Sequence, residues 1–285
     1  MNPATGHAWL PHNKCDVGCI GRRTAEDEFG LWVALRVALR CTLALLLAPG
    51  LPLLAVPLPG RTRVQRLYCR LVLRCFGVRI TVSGNPIRNL RGVLVVSPHT
   101  SWLDVFAIGS VLPGSFVARA DMFTGRGTGV VARILKIIPI ERSSLRRLPA
   151  VVDAVAGRLR AGQTVVAFPE GTTWCGQARG SHQGRGSFYP AMFQAAVDTG
   201  RPVQPLRLTY HHADGSVSTV PAFVGDETLP RSIRRLLTVR RTLARVQVEA
   251  LQLPGTDRRD LAGRCQSAVV VGAARRQGDG HVLVA

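Results

Sequence analysis

Aromatic side chains make up only 6% of this 285-residue chain, and lysine is nearly missing, with Lys14 and Lys136 standing against 35 arginines. Acidic residues number 17, which leaves a formal net charge of +20. A charge of that size calls for an anionic partner, either nucleic acid or the surface of an acidic membrane. The shortage of stacking aromatics, with no helix-turn-helix, zinc-finger or RNA-recognition signature, argues against nucleic acid. Residues 1–60 carry five basic and four acidic side chains, so +19 of the charge falls in the remaining 225 residues.

Cysteine lacks a recognisable pattern. The seven residues, at positions 15, 19, 41, 69, 75, 175 and 265, leave an odd thiol, and Cys15-x3-Cys19 has no downstream Cys/His pair at zinc spacing. Neither a disulfide framework nor a metal site is expected, and a reduced cytosolic setting follows. Cys175 reads as a bystander. A cleaved signal peptide is not expected, because some 30 polar residues precede the first apolar run and no small-residue cleavage site is obvious. There is no internal repeat.

What is present begins with an uncharged stretch, Cys41 to Pro59, preceded by the apolar-basic run Leu31 to Arg40. It is long enough to span a bilayer. Pro49, Gly50, Pro52, Pro57 and Pro59 interrupt it, so two arrangements stay open: a spanning helix, or one that turns back or lies in the interface. Arginines at 61, 63, 66, 70, 74 and 79 would meet anionic headgroups and favour the cytoplasmic side of the cell membrane. A second basic stretch, Pro230 to Arg241, fits an amphipathic helix resting either on lipid or on the core.

The rest of the chain alternates. Strand patterns at 78–83, 92–97, 115–119, 137–140, 163–168, 203–209 and 245–251 interleave with helices near 101–112, 126–136, 146–161 and 187–199. This predicts an α/β fold, a mixed and largely parallel sheet flanked by helices. The organisation expected is a loosely ordered polar segment (1–30), a membrane-associated segment (31–60), one domain (61–253), and a C-terminal helix and tail (254–285).

Two strand ends carry chemistry. The run Gly92 to Ser97 is short, apolar and β-branched, and Pro98 stops it. His99 then lies in the turn, with Ser101 as N-cap of the next helix and Asp104 five residues after the imidazole. An imidazole there can take a proton from a hydroxyl while the carboxylate steadies the ring. Asp104 is equally able to complete a capping box with Ser101. The second strand end is Phe168-Pro-Glu-Gly-Thr172: Pro169 ends the ladder, Gly171 permits close backbone approach, and the exposed amides with Thr172 can receive an anionic oxygen.

With His99-x4-Asp104 followed by Phe168-Pro-Glu-Gly171, the chain resembles the glycerolipid acyltransferases of the 1-acylglycerol-3-phosphate type. Ile138-Pro-Ile-Glu-Arg142 is similar to the family's intervening block and Val203-Gln-Pro-Leu206 to its last, so the resemblance covers about residues 85 to 215. It implies that His99 is the general base on the acceptor hydroxyl, that Asp104 orients it, and that Arg142, with Arg119, holds the acceptor's anionic group. Glu170, Gly171 and Thr172 would shape the acceptor site. It further implies a lysolipid acceptor, a thioester donor (acyl-CoA or acyl-carrier protein) as co-substrate, and no cofactor. Two departures stand out: Thr173 replaces an arginine, and no basic residue precedes the helix after Ser187. The Thr-Thr variant is similar to the lyso-ornithine lipid branch, which leaves three readings: acylation of 1-acylglycerol 3-phosphate, acylation of lyso-ornithine lipid, or a silent lipid-binding protein. Arg179 and Arg185, in the glycine-rich loop Gly176 to Gly186, are candidates to replace the lost charge; that loop is either a lid or a connector.

Overall fold

The computed structural model describes residues 11, 14–21, 30–54, 60–87, 90–123, 125–141, 144–177 and 185–278. Its centre is a seven-stranded sheet in the order β1-β7-β6-β2-β5-β3-β4. The strands are β1 (Val78–Gly84), β2 (Leu94–Val96), β3 (Ser115–Arg119), β4 (Ile138–Ile140), β5 (Val165–Ala167), β6 (Val203–His211) and β7 (Thr242–Val248). All pairings are parallel except β6 with β7. The mixed, largely parallel sheet expected from the alternation is therefore present, with a strand at each predicted position.

Helices cover both faces. α2 (Arg61–Cys75), α3 (Asp104–Gly109) and α7 (Leu229–Thr238) lie on one side, and α5 (Leu148–Arg160), α6 (Phe193–Thr199) and α8 (Arg258–Gly278) on the other; α1 (Gly30–Leu47) and α4 (Arg126–Ile134) complete the set. Period-two alternation divides each central strand between the layers. Leu94 and Val96 join the α5–α6–α8 core, while Val93 and Val95 join Leu103, Ile108 and Leu206 beneath α3. Burial on both faces explains why β2 and β5 read as unbroken apolar runs. Each such fully buried side chain contributes about 1.5–3 kcal/mol of transfer free energy.

Three expectations change at the edges. α8 is part of the domain rather than an appendage, since Leu261, Cys265 and Val269 enter the core. Around Cys15 the N-terminal segment is not loose: Cys15 and Cys19 are buried against Cys175, Ala222 and Val224. α3 starts at Asp104 with Leu103 as its cap, so Ser101 lies outside the helix, its hydroxyl accepting from the Leu103 amide at 3.3 Å. The tail after 278 lies outside the described residues.

The stretch Gly30–Leu54 is long and apolar enough to cross a membrane. The α-helix gives way to a 3-10 helix at Ala48, next to Pro49, where the prolines remove backbone donors. Leu31, Trp32, Leu35, Leu39 and Leu46 are exposed, whereas Arg40 is buried. The Arg40 guanidinium donates to the carbonyls of Leu236, Leu237, Val239 and Arg240, and Arg36 to that of Thr238. These cations satisfy the open carbonyl end of α7 and fix α1 on the domain. For α7 the core alternative holds, because Leu236 and Leu237 are buried and Arg235 is held by Glu227 and the Val220 and Ala222 carbonyls.

Candidate active site

β2 and β5 are neighbours in the sheet, so the turns that leave their carboxyl ends meet. That adjacency unites two motifs 71 residues apart: the backbone amide of His99 donates to Glu170 Oε2 at 2.8 Å. The other oxygen, Oε1, accepts from the Gly186 amide at 3.0 Å. Glu170 thus ties the histidine turn to the far end of the glycine-rich loop.

His99 Nδ1 lies 2.9 Å from Asp104 Oδ2. The same oxygen accepts from the amides of Thr100 at 2.7 Å and Ser101 at 2.9 Å. Oδ1 accepts from the Tyr210 hydroxyl at 2.6 Å. One carboxylate therefore fixes the turn and the ring together, though not through the capping box expected with Ser101, which lies outside α3. The network assigns the proton to Nδ1 and leaves Nε2 with its lone pair. The ring stacks on Phe168 at 4.0 Å between centroids and an angle of 15°, so a residue of the second motif sets the plane of the histidine.

Burial is steeply graded here. Asp104 is wholly inaccessible and Glu170 is 2% exposed, while the His99 side chain keeps 17% and lines a narrow cleft. Burial pushes the Glu170 carboxyl up to about 8; the His99 and Gly186 amides and the Arg185 charge pull against that, and Asp104 adds to it. Burial likewise pushes the Tyr210 hydroxyl well above its usual range, reinforced by the Asp104 charge.

The other expected site residues are distributed unevenly. Gly171 adopts φ +70°, the left-handed turn that favours glycine, and its amide closes the turn onto Phe168. Neither it nor Thr172 lines the cleft. Arg119 ends β3 about half-exposed and paired with Asp121, also away from the cleft. Arg142 and Arg179 lie outside the described residues. Arg185 does line the cleft, as does Arg207, which sequence reasoning missed. Thr173, where an arginine was expected, donates its hydroxyl to the Phe223 carbonyl. Trp174 lines the cleft, its amide donating to the His99 carbonyl at 2.7 Å and its buried indole N–H without a partner among the described residues. Tyr210 was missed because only the β6–β2 pairing brings it to Asp104.

A basic imidazole nitrogen at the mouth of a cleft, backed by a fully hydrogen-bonded carboxylate, is equipped to deprotonate a hydroxyl. Comparison with known proteins agrees with that chemistry. The Acyltransferase family model matches residues 79–209. The 1-acyl-sn-glycerol-3-phosphate acyltransferase of Neisseria meningitidis serogroup B is 31% identical over 187 residues, covering 66% of this chain and 71% of that protein. The lyso-ornithine lipid O-acyltransferase of Pseudomonas aeruginosa is 30% identical over 213 residues, covering 74% and 78%. Among solved structures, the 1-acyl-sn-glycerophosphate acyltransferase of Thermotoga maritima shares the fold with a TM-score of 0.59 at 19% identity, over 87% of this chain and 96% of that one. With the site geometry, the matched segment and relatives of this extent in agreement, the chain belongs to the acyltransferase family.

Proposed function

We propose that the protein transfers a fatty acyl group from a thioester, acyl-CoA or acyl-carrier protein, to the free hydroxyl of a lysolipid, with 1-acylglycerol 3-phosphate as the first acceptor. The observation that carries this reading is the His99–Asp104 contact at 2.9 Å, with Nε2 left available at the cleft. Nε2 takes the hydroxyl proton as the oxygen attacks the thioester carbonyl; the tetrahedral oxyanion collapses, and the thiolate leaves with the proton from the imidazolium. Because the thiolate is a good leaving group, no covalent enzyme intermediate and no cofactor is called on, and rate enhancement rests on deprotonation and positioning. Asp104 orients the ring; Arg185 and Arg207, which line the cleft, supply positive charge for an anionic headgroup, and Arg119 and Arg142 are the further candidates that the resemblance offers for that group.

Acylation of lyso-ornithine lipid is the second reading. It is favoured by Thr173, which removes one phosphate-binding cation, and by the name of the Pseudomonas relative. For the membrane, α1 exposes Leu31, Trp32, Leu35, Leu39 and Leu46 while Arg36 and Arg40 are docked on α7. This supports a helix lying in the interface at the cytoplasmic face of the cell membrane, with Arg63, Arg70 and Arg74 of α2 exposed to headgroups.

The test is transfer of labelled acyl groups from each donor to a panel of lysolipids in detergent micelles. His99→Ala is expected to lose about 10²–10⁴-fold in kcat. Transfer to no acceptor by the wild type sinks the enzymatic reading, and equal rates for wild type and His99→Ala remove His99 as the base.

A further inference from the structure

The cysteines that the sequence scatters converge. Cys15 and Cys19, on one short segment, and Cys175, 160 residues after Cys15, bring their sulfurs to within 4.8 Å of one another. All three are buried and none is in a disulfide. The other buried cysteines, Cys69, Cys75 and Cys265, lie on α2 and α8 and belong to no such group; among the described residues these three form the one cluster of metal-ligating side chains. We propose that Cys15, Cys19 and Cys175 form a thiolate site for a zinc ion, which pins the N-terminal segment to the wall of the catalytic cleft.

The geometry suits one metal ion. Zinc–sulfur bonds of about 2.3 Å around a tetrahedral centre separate the sulfurs by about 3.8 Å. Sulfurs already gathered within 4.8 Å have to close by less than about 1 Å to reach that spacing. A disulfide would use two of the three and strand the third, whereas one ion uses all of them. Zinc's fourth position is then left to water or another small ligand.

The segment is also organised for convergence before any ion arrives. Asp16 caps the 3-10 turn Val17–Cys19, its carboxylate accepting from the Gly18 amide at 2.9 Å, so the two cysteines of the segment are held on either side of one turn. The Gly21 amide donates to Thr219 at 2.7 Å. Gly225, at φ +67°, packs against the segment, where a Cβ would lie in ordinary contact at 3.4 Å from Asp16 Cα. At the cluster the Cys175 amide points at Cys15 Sγ at 3.5 Å, an N–H···S contact of the kind that steadies metal thiolates. The Cys175 thiol donates to the Gln177 carbonyl at 3.1 Å, a contact the metal replaces when it takes the thiolate. The functional reach is short, since Trp174, Cys175 and Gly176 all line the cleft and the Trp174 amide holds the His99 carbonyl.

The experiment measures metal in full-length protein free of any histidine tag, purified under reduction without chelator. Stoichiometric zinc is expected, lost in Cys15→Ser, Cys19→Ser and Cys175→Ser and kept in Cys265→Ser. Cobalt replacement should give an intense thiolate charge-transfer band in wild type. Zinc-edge absorption needs no variant, so it decides the matter even where a serine variant fails to fold: three sulfur neighbours at about 2.3 Å support the site, and nitrogen and oxygen neighbours alone overturn it. Wild-type protein without metal that also fails to bind cobalt, a disulfide between any two of the three, or metal retained by all three serine variants overturns it too.

Discussion

His99 is held by two buried carboxylates, and they do different work. Asp104, five residues away on the same turn, receives four donors and grips the ring. Glu170, from the neighbouring strand end, receives two and grips the backbone of His99 and of Gly186. Burial pushes Glu170 up to about 8, so at neutral pH it is largely protonated. The contrast teaches how one imidazole can be fixed from two sides without a second full negative charge beside it: the ion is placed where donors are dense, and the neutral acid where only the main chain must be held.

The sharpest way to break the pair is Asp104→Asn. The amide keeps the shape but brings an NH2 toward Nδ1–H, Tyr210 and the two amides, so either the tautomer or the turn is lost. A fall of about 10³–10⁴ in kcat/KM is expected, the size seen when an orienting aspartate is removed from a histidine base. A loss below tenfold would show that Asp104 only caps the turn.

Glu170→Gln tests the other side. Its NH2 opposes one of the two amide donors, and displacement of the His99 backbone by about 1 Å lowers kcat about 10²-fold. The pH signature separates this carboxylate from Asp104. Burial raises the Glu170 pKa in the folded chain from 4.5 to about 8. The folded state therefore binds this proton more tightly than the unfolded chain, its stabilising effect is complete below about pH 4.5, and it is lost as pH rises through about 8. Wild type should lose thermal stability across that window through this group, and Glu170→Gln should flatten the slope. An unchanged slope would remove Glu170 as its source.

Much of this arrangement was legible in the sequence, and the reason is local. β2 and β5 are buried on both faces and end at proline-bearing turns, so their apolar runs and stops are visible without tertiary information. His99 and Asp104 are close in the chain and needed no folding to be paired. What escaped depends on strand order. Tyr210 reaches Asp104 because β6 adds beside β2, Glu170 touches His99 because β5 flanks it on the other side, and Cys15 meets Cys175 across most of the chain. Arg119, which the resemblance offered for the acceptor's anionic group, is paired with Asp121 two residues on, a contact that local sequence does not announce.

Tyr210→Phe is the mildest cut and sharpens the comparison most, because it removes one of the four donors on Asp104 and none of those on Glu170. A hydrogen bond to an ionised group contributes about 1.5–3 kcal/mol, and the low end of that range is roughly tenfold in rate. The other three donors stay, so the ring keeps its tautomer, and kcat should fall about tenfold with KM for the acceptor nearly unchanged. The basic limb of the pH–rate profile should not move, because burial and the Asp104 charge hold the Tyr210 hydroxyl protonated well above the usual tyrosine range. Wild-type kcat in this variant, with a lowered thermal midpoint, would assign the Tyr210 contact to the fold and leave the orientation of His99 to the turn alone.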